Sequence, residues 1–396
     1  VSLPEQLTDK LSQLSRRAAI VGVVALAAMI VGALGNPDQF FRSYLIGYIL
    51  WMGVALGSLA LLMIQHLITG QWGWLGRRSF EAAARTLWLL AIGFIPILVG
   101  LSRIYVWADP EHAVGDALLE HKTPYLNVEF FLIRAAIYFA VWIGLAILLS
   151  RWSRQQDQGD LSVAGRFQLG SGLGLLLFAL TTSFAAVDWI MSIEPHWFST
   201  IYGLQFITGL VLTALAFMVP VLSLLSGYEP LKDRMRPSHF HDYGNLILAF
   251  VLLWAYLAFS QYLITWTGNL PEEIPWYLNR TRGGWQWIGL VLVVFHFAVP
   301  FAVLLSRTAK RSARVLTRVA LAILVLRLVD MVWLVEPAFS DQLMIHWMDI
   351  LAPIGIGGLW IAAFFWQLKS APLLPVNDPR FSDAVETQEA VEHGAH

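Results

Sequence analysis

Residues 188–200 read DWIMSIEPHWFST and place Asp188, Glu194, Pro195 and His196 within nine positions, between two long apolar runs. Carboxyl and imidazole groups take up and release protons, and they do so near neutral pH when their surroundings are poor in water. A fixed charge within lipid costs about 2.5–3.5 kcal/mol on insertion scales, so each one needs a partner or a wet cavity. Asp188 precedes Glu194 by roughly a turn and a half of helix. Its candidate cations are Arg103 and Arg134, which fall at the same predicted depth; Glu129 joins them as an acidic relay candidate. Two readings stand side by side: an Arg–Asp pair that fixes helix packing, or a proton relay and the polar end of a ligand pocket. Glu194-Pro195 is first of all a helix stop, because proline cannot continue a helix and disfavours helical geometry in the residue before it. Glu194, His196 and Trp197 then read as interface residues.

A second set lies further on. Arg327 and Asp330 are three residues apart, on one helix face, and can pair locally. Arg318 lies about two turns earlier and reads as a snorkelling side chain. His296 is the deepest histidine, either a hydrogen-bonded core group or a relay member. Asp242, in HDYGN (241–245), reads as an N-cap or first-turn acid or as a proton entry. His66 and His296 are poorly matched in depth, so an intrinsic b-type haem is not expected. Gln261, Tyr262 and Asn269 add hydrogen-bonding groups, while Glu272 and Glu273 read as solvated or facing a partner.

The elements that must position these residues follow from composition. Of 396 residues 57% are hydrophobic and 13% charged, about half the share of charge in a soluble domain, so the solvent is lipid. Ten apolar windows are long enough to span a bilayer: about 18–35, 44–66, 86–107, 128–150, 167–191, 198–226, 242–266, 285–306, 315–335 and 349–367. The first is long for a signal-peptide core and lacks a clear cleavage site. Lys and Arg number eighteen on one set of connections and termini, with Arg77 and Arg78 in the loop after the second span, against four on the other. This predicts both termini in the cytoplasm, with the stretch at 188–200 facing outward. The tail 371–396 reads as disordered and cytoplasmic.

Asp188–Pro195 (DWIMSIEP) and Asp330–Pro337 (DMVWLVEP) share the pattern Asp, five residues, Glu-Pro. PYLN at 124–127 and PWYLN at 275–279 form a second echo. Each pair is separated by four spans, which predicts two four-helix bundles, spans 2–5 and 6–9, related as parallel repeats. The expected fold is an all-α integral membrane protein. Its units are an N-terminal segment with the first span (1–43), a first bundle (44–196), a second bundle (197–337), a last span (338–370) and the tail. A net charge of −1 gives no case for nucleic acid. Without cysteine the chain has no disulfide, no thiolate-held iron–sulfur cluster and no covalent c-type haem, and no metal-ligand motif stands out.

The runs DWIMSIEPHWFSTIYG (188–203) and HDYGNLILAFVLLWAYLAFSQYLITWTGNLPEEIPWY (241–277) resemble the NrfD/polysulfide-reductase family of membrane anchors, in the form found in bacterial alternative complex III. The resemblance covers nearly the whole chain. It implies a membrane subunit of a quinol:cytochrome c-type oxidoreductase in the bacterial inner membrane. Its partners would be a second, paralogous anchor, iron–sulfur and multihaem cytochrome c subunits, and the lipid bilayer. Haem and iron–sulfur clusters would belong to those partners; quinone or quinol would be the ligand at a surface of this chain. It also implies proton conduction through the first-bundle group (Asp188, Arg103, Arg134) and the second-bundle group (Asp330, Arg327, His296, Asp242). Two other classes fit the sequence: a secondary transporter built from parallel repeats, and a purely structural anchor for electron-transfer subunits.

Overall fold

The computed structural model describes residues 3–68, 70–109, 116–375 and 377–378. Among them there is no strand, and nine helices are long and apolar enough to cross a membrane. The chain is an all-helical, multi-pass membrane protein. The long helices are α1 (Glu5–Ala33), α2 (Pro37–Leu67), α3 (Gln71–Val99), α4 (Val128–Asp157), α5 (Ala164–Trp189), α6 (Tyr202–Leu225), α7 (Pro237–Gly268), α8 (Trp285–Leu305), α9 (Ala313–Val335) and α10 (Trp347–Leu368). Nine match the apolar criterion on their own. α9 stands where the ninth span is predicted, but every 18-residue window in it contains Arg318, Arg327 and Asp330.

Local signals set the helix starts. Asn36 caps α2 by accepting from the Gln39 N–H at 3.2 Å, with Pro37 in the first turn. Asn127 caps α4 through the Phe130 N–H at 2.8 Å. α2 is buried around its whole circumference, as a helix apolar on every side should be, and α6 is largely buried. These two pack on each other at the centre. α3, α4 and α5 gather on the α2 side, and α7, α8 and α9 on the α6 side. α1 and α10 form a peripheral pair against α2. They cross at Gly22, where a Cβ would lie 2.7 Å from the Leu359 backbone nitrogen, so only glycine permits the approach.

Three predicted spans differ in detail, and the first begins thirteen residues early, at Glu5 rather than about 18. The third starts fifteen residues early, at Gln71 rather than about 86, and is broken at Arg85–Thr86, Phe94 and Gly100 before a short helix, Leu101–Ile104. Pro96, next to the break at Phe94, has no N–H to give to the preceding turn. α8 opens into a wider turn over Leu292–Ala298. Pro300 follows, and its missing N–H leaves the His296 carbonyl without the usual helical donor.

The tail predicted to be disordered from 371 begins packed: Leu373, Leu374 and Asp378 are buried, and Asn377 donates from Nδ2 to Asp157 O at 2.7 Å. From 379 onward that expectation lies outside the described residues.

Candidate functional site

Asp188 sits one residue before the end of α5 and is fully buried. Arg134, two turns into α4, grips it with two parallel bonds: Nε donates to Oδ2 at 2.8 Å and Nη2 to Oδ1 at 3.0 Å. Tyr138, one turn along the same face, donates its hydroxyl to Oδ2 at 2.7 Å. The remaining guanidinium nitrogen, Nη1, donates to Tyr125 O at 2.8 Å, and the group lies 3.9 Å above the Tyr125 ring. Such a planar fork over an aromatic face is a role that lysine cannot fill. Trp142, Phe139 and Phe94 surround Trp189, the neighbour of Asp188, and keep the centre dry.

A largely apolar cavity of about 300 Å³ opens beside this centre, lined by Lys122, Tyr125, Val187, Ser192, Trp197 and Phe198 among others. The Trp197 indole N–H is buried without an acceptor. The Lys122 ammonium donates to Pro195 O, and partial burial lowers its pKa from the ordinary lysine value. Burial raises the Tyr125 phenol, which stays protonated at neutral pH.

Arg103 does not join Asp188. The break at Gly100 turns it toward the start of α2, where it pairs with Asp38 at 2.6 Å on an exposed surface. Glu129 is exposed in the first turn of α4, where the helix dipole favours an acid, and it touches neither Asp188 nor Arg134.

The second centre is built differently. Arg327 and Asp330, both buried on α9, pair with each other as their spacing predicts. Arg327 Nε also donates to Thr213 Oγ1 of α6 at 3.2 Å. Gly209, one turn before Thr213, makes the space: a Cβ there would lie 2.2 Å from Arg327 Nη2. The Trp254 indole of α7 adds a hydrogen bond to Asp330. A void of about 10 Å³, room for about one water molecule, touches Tyr202, Gln205, Trp254, Arg327 and Asp330. His296 is fully buried in the wide turn of α8, its ring 4.2 Å from that of Trp254, and neither ring nitrogen has a hydrogen-bond partner.

Asp242 lies apart from this centre. α7 begins at Pro237, so Asp242 is six residues in rather than at the cap; it is part-exposed beside His241, 3.9 Å away. Glu272 is exposed and Glu273 part-exposed in the connection after α7.

Glu194 is more than a terminator. Arg280, wholly buried in the short helix Ile274–Arg280, donates to its Oε2 at 2.7 Å. The same guanidinium donates to Trp276 O, Trp333 O and Leu334 O and lies 3.7 Å over the Trp276 ring. Burial lowers the Arg280 pKa, and Glu194 opposes that shift. Trp197, expected to be an interfacial anchor, is buried because it stacks on Trp276 at 4.5 Å. His196 is exposed, its Nε2 2.7 Å from Asp116 Oδ2.

Two clusters escape the sequence reading. Arg77 and Arg78, assigned to a loop, are buried in α3, where Glu81 pairs with both, Asp378 with Arg77 and Asp157 with Arg78; Ser153 bridges them. At the Glu194 end of the molecule, Glu336 and Asp349 are buried with Ser43, and the part-buried Gln39 reaches Asp349. The adjacency of Arg280 to the PWYLN echo was a usable signal; nothing local marks the other two. Compared with protein-family models and with curated proteins, the chain matches none.

Proposed function

We propose that the chain is a membrane subunit of a quinol:electron-acceptor (cytochrome c-type) oxidoreductase of the alternative complex III kind, supplying proton-conducting groups and a quinone-facing surface. The observation that carries the reading is the Asp188 centre: a fully buried carboxylate, held by Arg134 and Tyr138, beside a cavity of about 300 Å³. That volume is at the lower end of the range for small-molecule pockets. A quinol gives up protons together with its electrons, and the groups at this cavity are suited to receive them. Lys122, Ser192 and the Trp197 N–H would hold the head group, and Asp188 would take a proton by way of Tyr125, which lines the cavity and neighbours both Asp188 and Tyr138. Arg134 keeps the carboxylate oriented between proton transfers. The Arg327–Asp330 pair, with His296 and the small void nearby, forms a second relay point in the other half of the molecule.

The finer topology belongs to the same proposal. Ten spans form parallel repeats, both termini are cytoplasmic, and the membrane is the bacterial inner membrane. The Asp188 end then faces outward, toward iron–sulfur and multihaem partners and beside a paralogous anchor. The charge asymmetry of the connections and the two Asp-to-Glu-Pro echoes support this.

The bidentate geometry at Asp188 would serve a packing pair in a structural anchor equally well, so the decisive variant keeps the shape and removes the charge. Asp188→Asn is expected to lower quinol turnover or proton coupling at least about tenfold while the partner subunits still co-purify, a lower bound on the roughly 10²–10⁴-fold that a proton-transfer group contributes. Normal turnover and coupling in the assembled variant would overturn the relay. Purification of the chain without haem or iron–sulfur partners would favour a transporter.

A further inference from the structure

Glu336 follows the last residue of α9, and Asp349 lies in the first turn of α10. Both side chains are almost wholly buried, and α2 packs over them with Gln39, Arg42 and Ser43. Asp349 is fully served. Its Oδ1 accepts from Ser43 Oγ at 2.5 Å and from Gln39 Nε2 at 3.0 Å, and its Oδ2 accepts from the His346 N–H at 2.8 Å. Glu336 is not: Gln39 reaches its carboxyl group, but Oε1 is buried with no partner. Among the described residues, the only cation facing the pair is Arg42, whose guanidinium lies 4.3 Å over the Phe339 ring. His346, at the cap of α10, is the other titratable group at this corner.

The charges do not balance. Two buried carboxylates face one guanidinium, and one added proton makes the set neutral. Hydrogen-bond donors favour the charged form of a carboxylate, and Asp349 holds most of them. We propose that Glu336 and Asp349 form a one-proton binding site, with the proton on Glu336, at the junction of α2, α9 and α10. Burial, and then the neighbouring Asp349, push the Glu336 carboxyl up to about 7, in keeping with that assignment. In the topology proposed above this corner faces outward, at the same end as Glu194. As the outer terminal group of the relay, Glu336 rests on that reading; as a proton site it does not.

The test is an infrared pH titration of the full chain in detergent, following the C=O stretch of protonated carboxyls. The wild type is expected to show a carboxyl losing its proton near pH 7, and Glu336→Gln to lack it. Asp349→Asn should keep the band and move its midpoint down by about 1–2 units, because a like charge has gone. A band that persists in Glu336→Gln, or a midpoint unmoved in Asp349→Asn, overturns the site, and the second variant decides the matter if the first fails to fold. Loss of the band with unchanged proton coupling in the assembled complex supports the site and overturns only its place in the relay.

Discussion

Arg280 donates to Glu194 at 2.7 Å and thereby joins the end of α5 to the segment that leads into α8. The three carbonyls that the same guanidinium serves come from Trp276, Trp333 and Leu334, so a single side chain binds together three stretches distant in sequence.

Arg280→Gln should therefore destabilise the protein strongly. It leaves Glu194 uncompensated and several buried carbonyls without donors, and breaking a buried pair costs about 3–5 kcal/mol. Thermal unfolding in detergent, followed by tryptophan fluorescence, measures this. A melting temperature within error of the wild type would mean that the bonds carry no net stability.

Gly209→Ala should displace Arg327, since the new methyl would lie 2.2 Å from Nη2 in a packed interior. Overpacking of this kind costs about 1–3 kcal/mol. Gly144→Ala in α4 is the control: a Cβ there meets nothing within 4 Å, so alanine should be neutral or slightly stabilising. Equal effects from both substitutions would show that Gly209 does not shape the Arg327 site.

Arg134→Lys keeps the charge but loses the fork, the contact with Tyr125 O and the guanidinium face over the ring. Quinol turnover of the assembled complex is expected to fall severalfold, with a smaller loss than in Asp188→Asn. Turnover equal to wild type would show that a point charge suffices beside Asp188.

Glu336 makes stability depend on pH with a sign opposite to that of a salt-bridged carboxylate. Its folded pKa, about 7, lies above the ordinary glutamate value of 4.5, so between these the native state holds more protons than the unfolded one. Stability should fall as pH rises through that window, by roughly 3 kcal/mol in all, and level off above it. Unfolding of wild type and Glu336→Gln across that range measures the difference; parallel profiles would mean that Glu336 does not titrate there.

The long helices were legible because lipid demands unbroken apolar runs, and eight of ten predicted spans lie close to where helices form. α3 was misplaced because GRRSFEAAAR reads as a polar loop. Its burial depends on Ser153, Asp157 and Asp378, which are remote in sequence. Arg134 was found by depth alone, whereas the same argument failed for Arg103 because a helix break changes direction without changing composition. The two Glu-Pro terminators look alike in sequence. Only tertiary packing gives Glu194 an arginine and Glu336 a second carboxylate.

The Arg77–Asp378 contact has a consequence in time as well as in space. The partners lie 301 residues apart, so at about 5–20 residues per second a ribosome needs roughly 15–60 s to deliver the second after the first. Until then Arg77 has Glu81 beside it, and Glu81 is also claimed by Arg78. Only until residue 157 is made are the two arginines short of one negative charge; Asp157 then pairs with Arg78, and what Arg77 still awaits is its second carboxylate. Closing of that contact therefore follows the synthesis of every described helix, the last of which ends at Leu368.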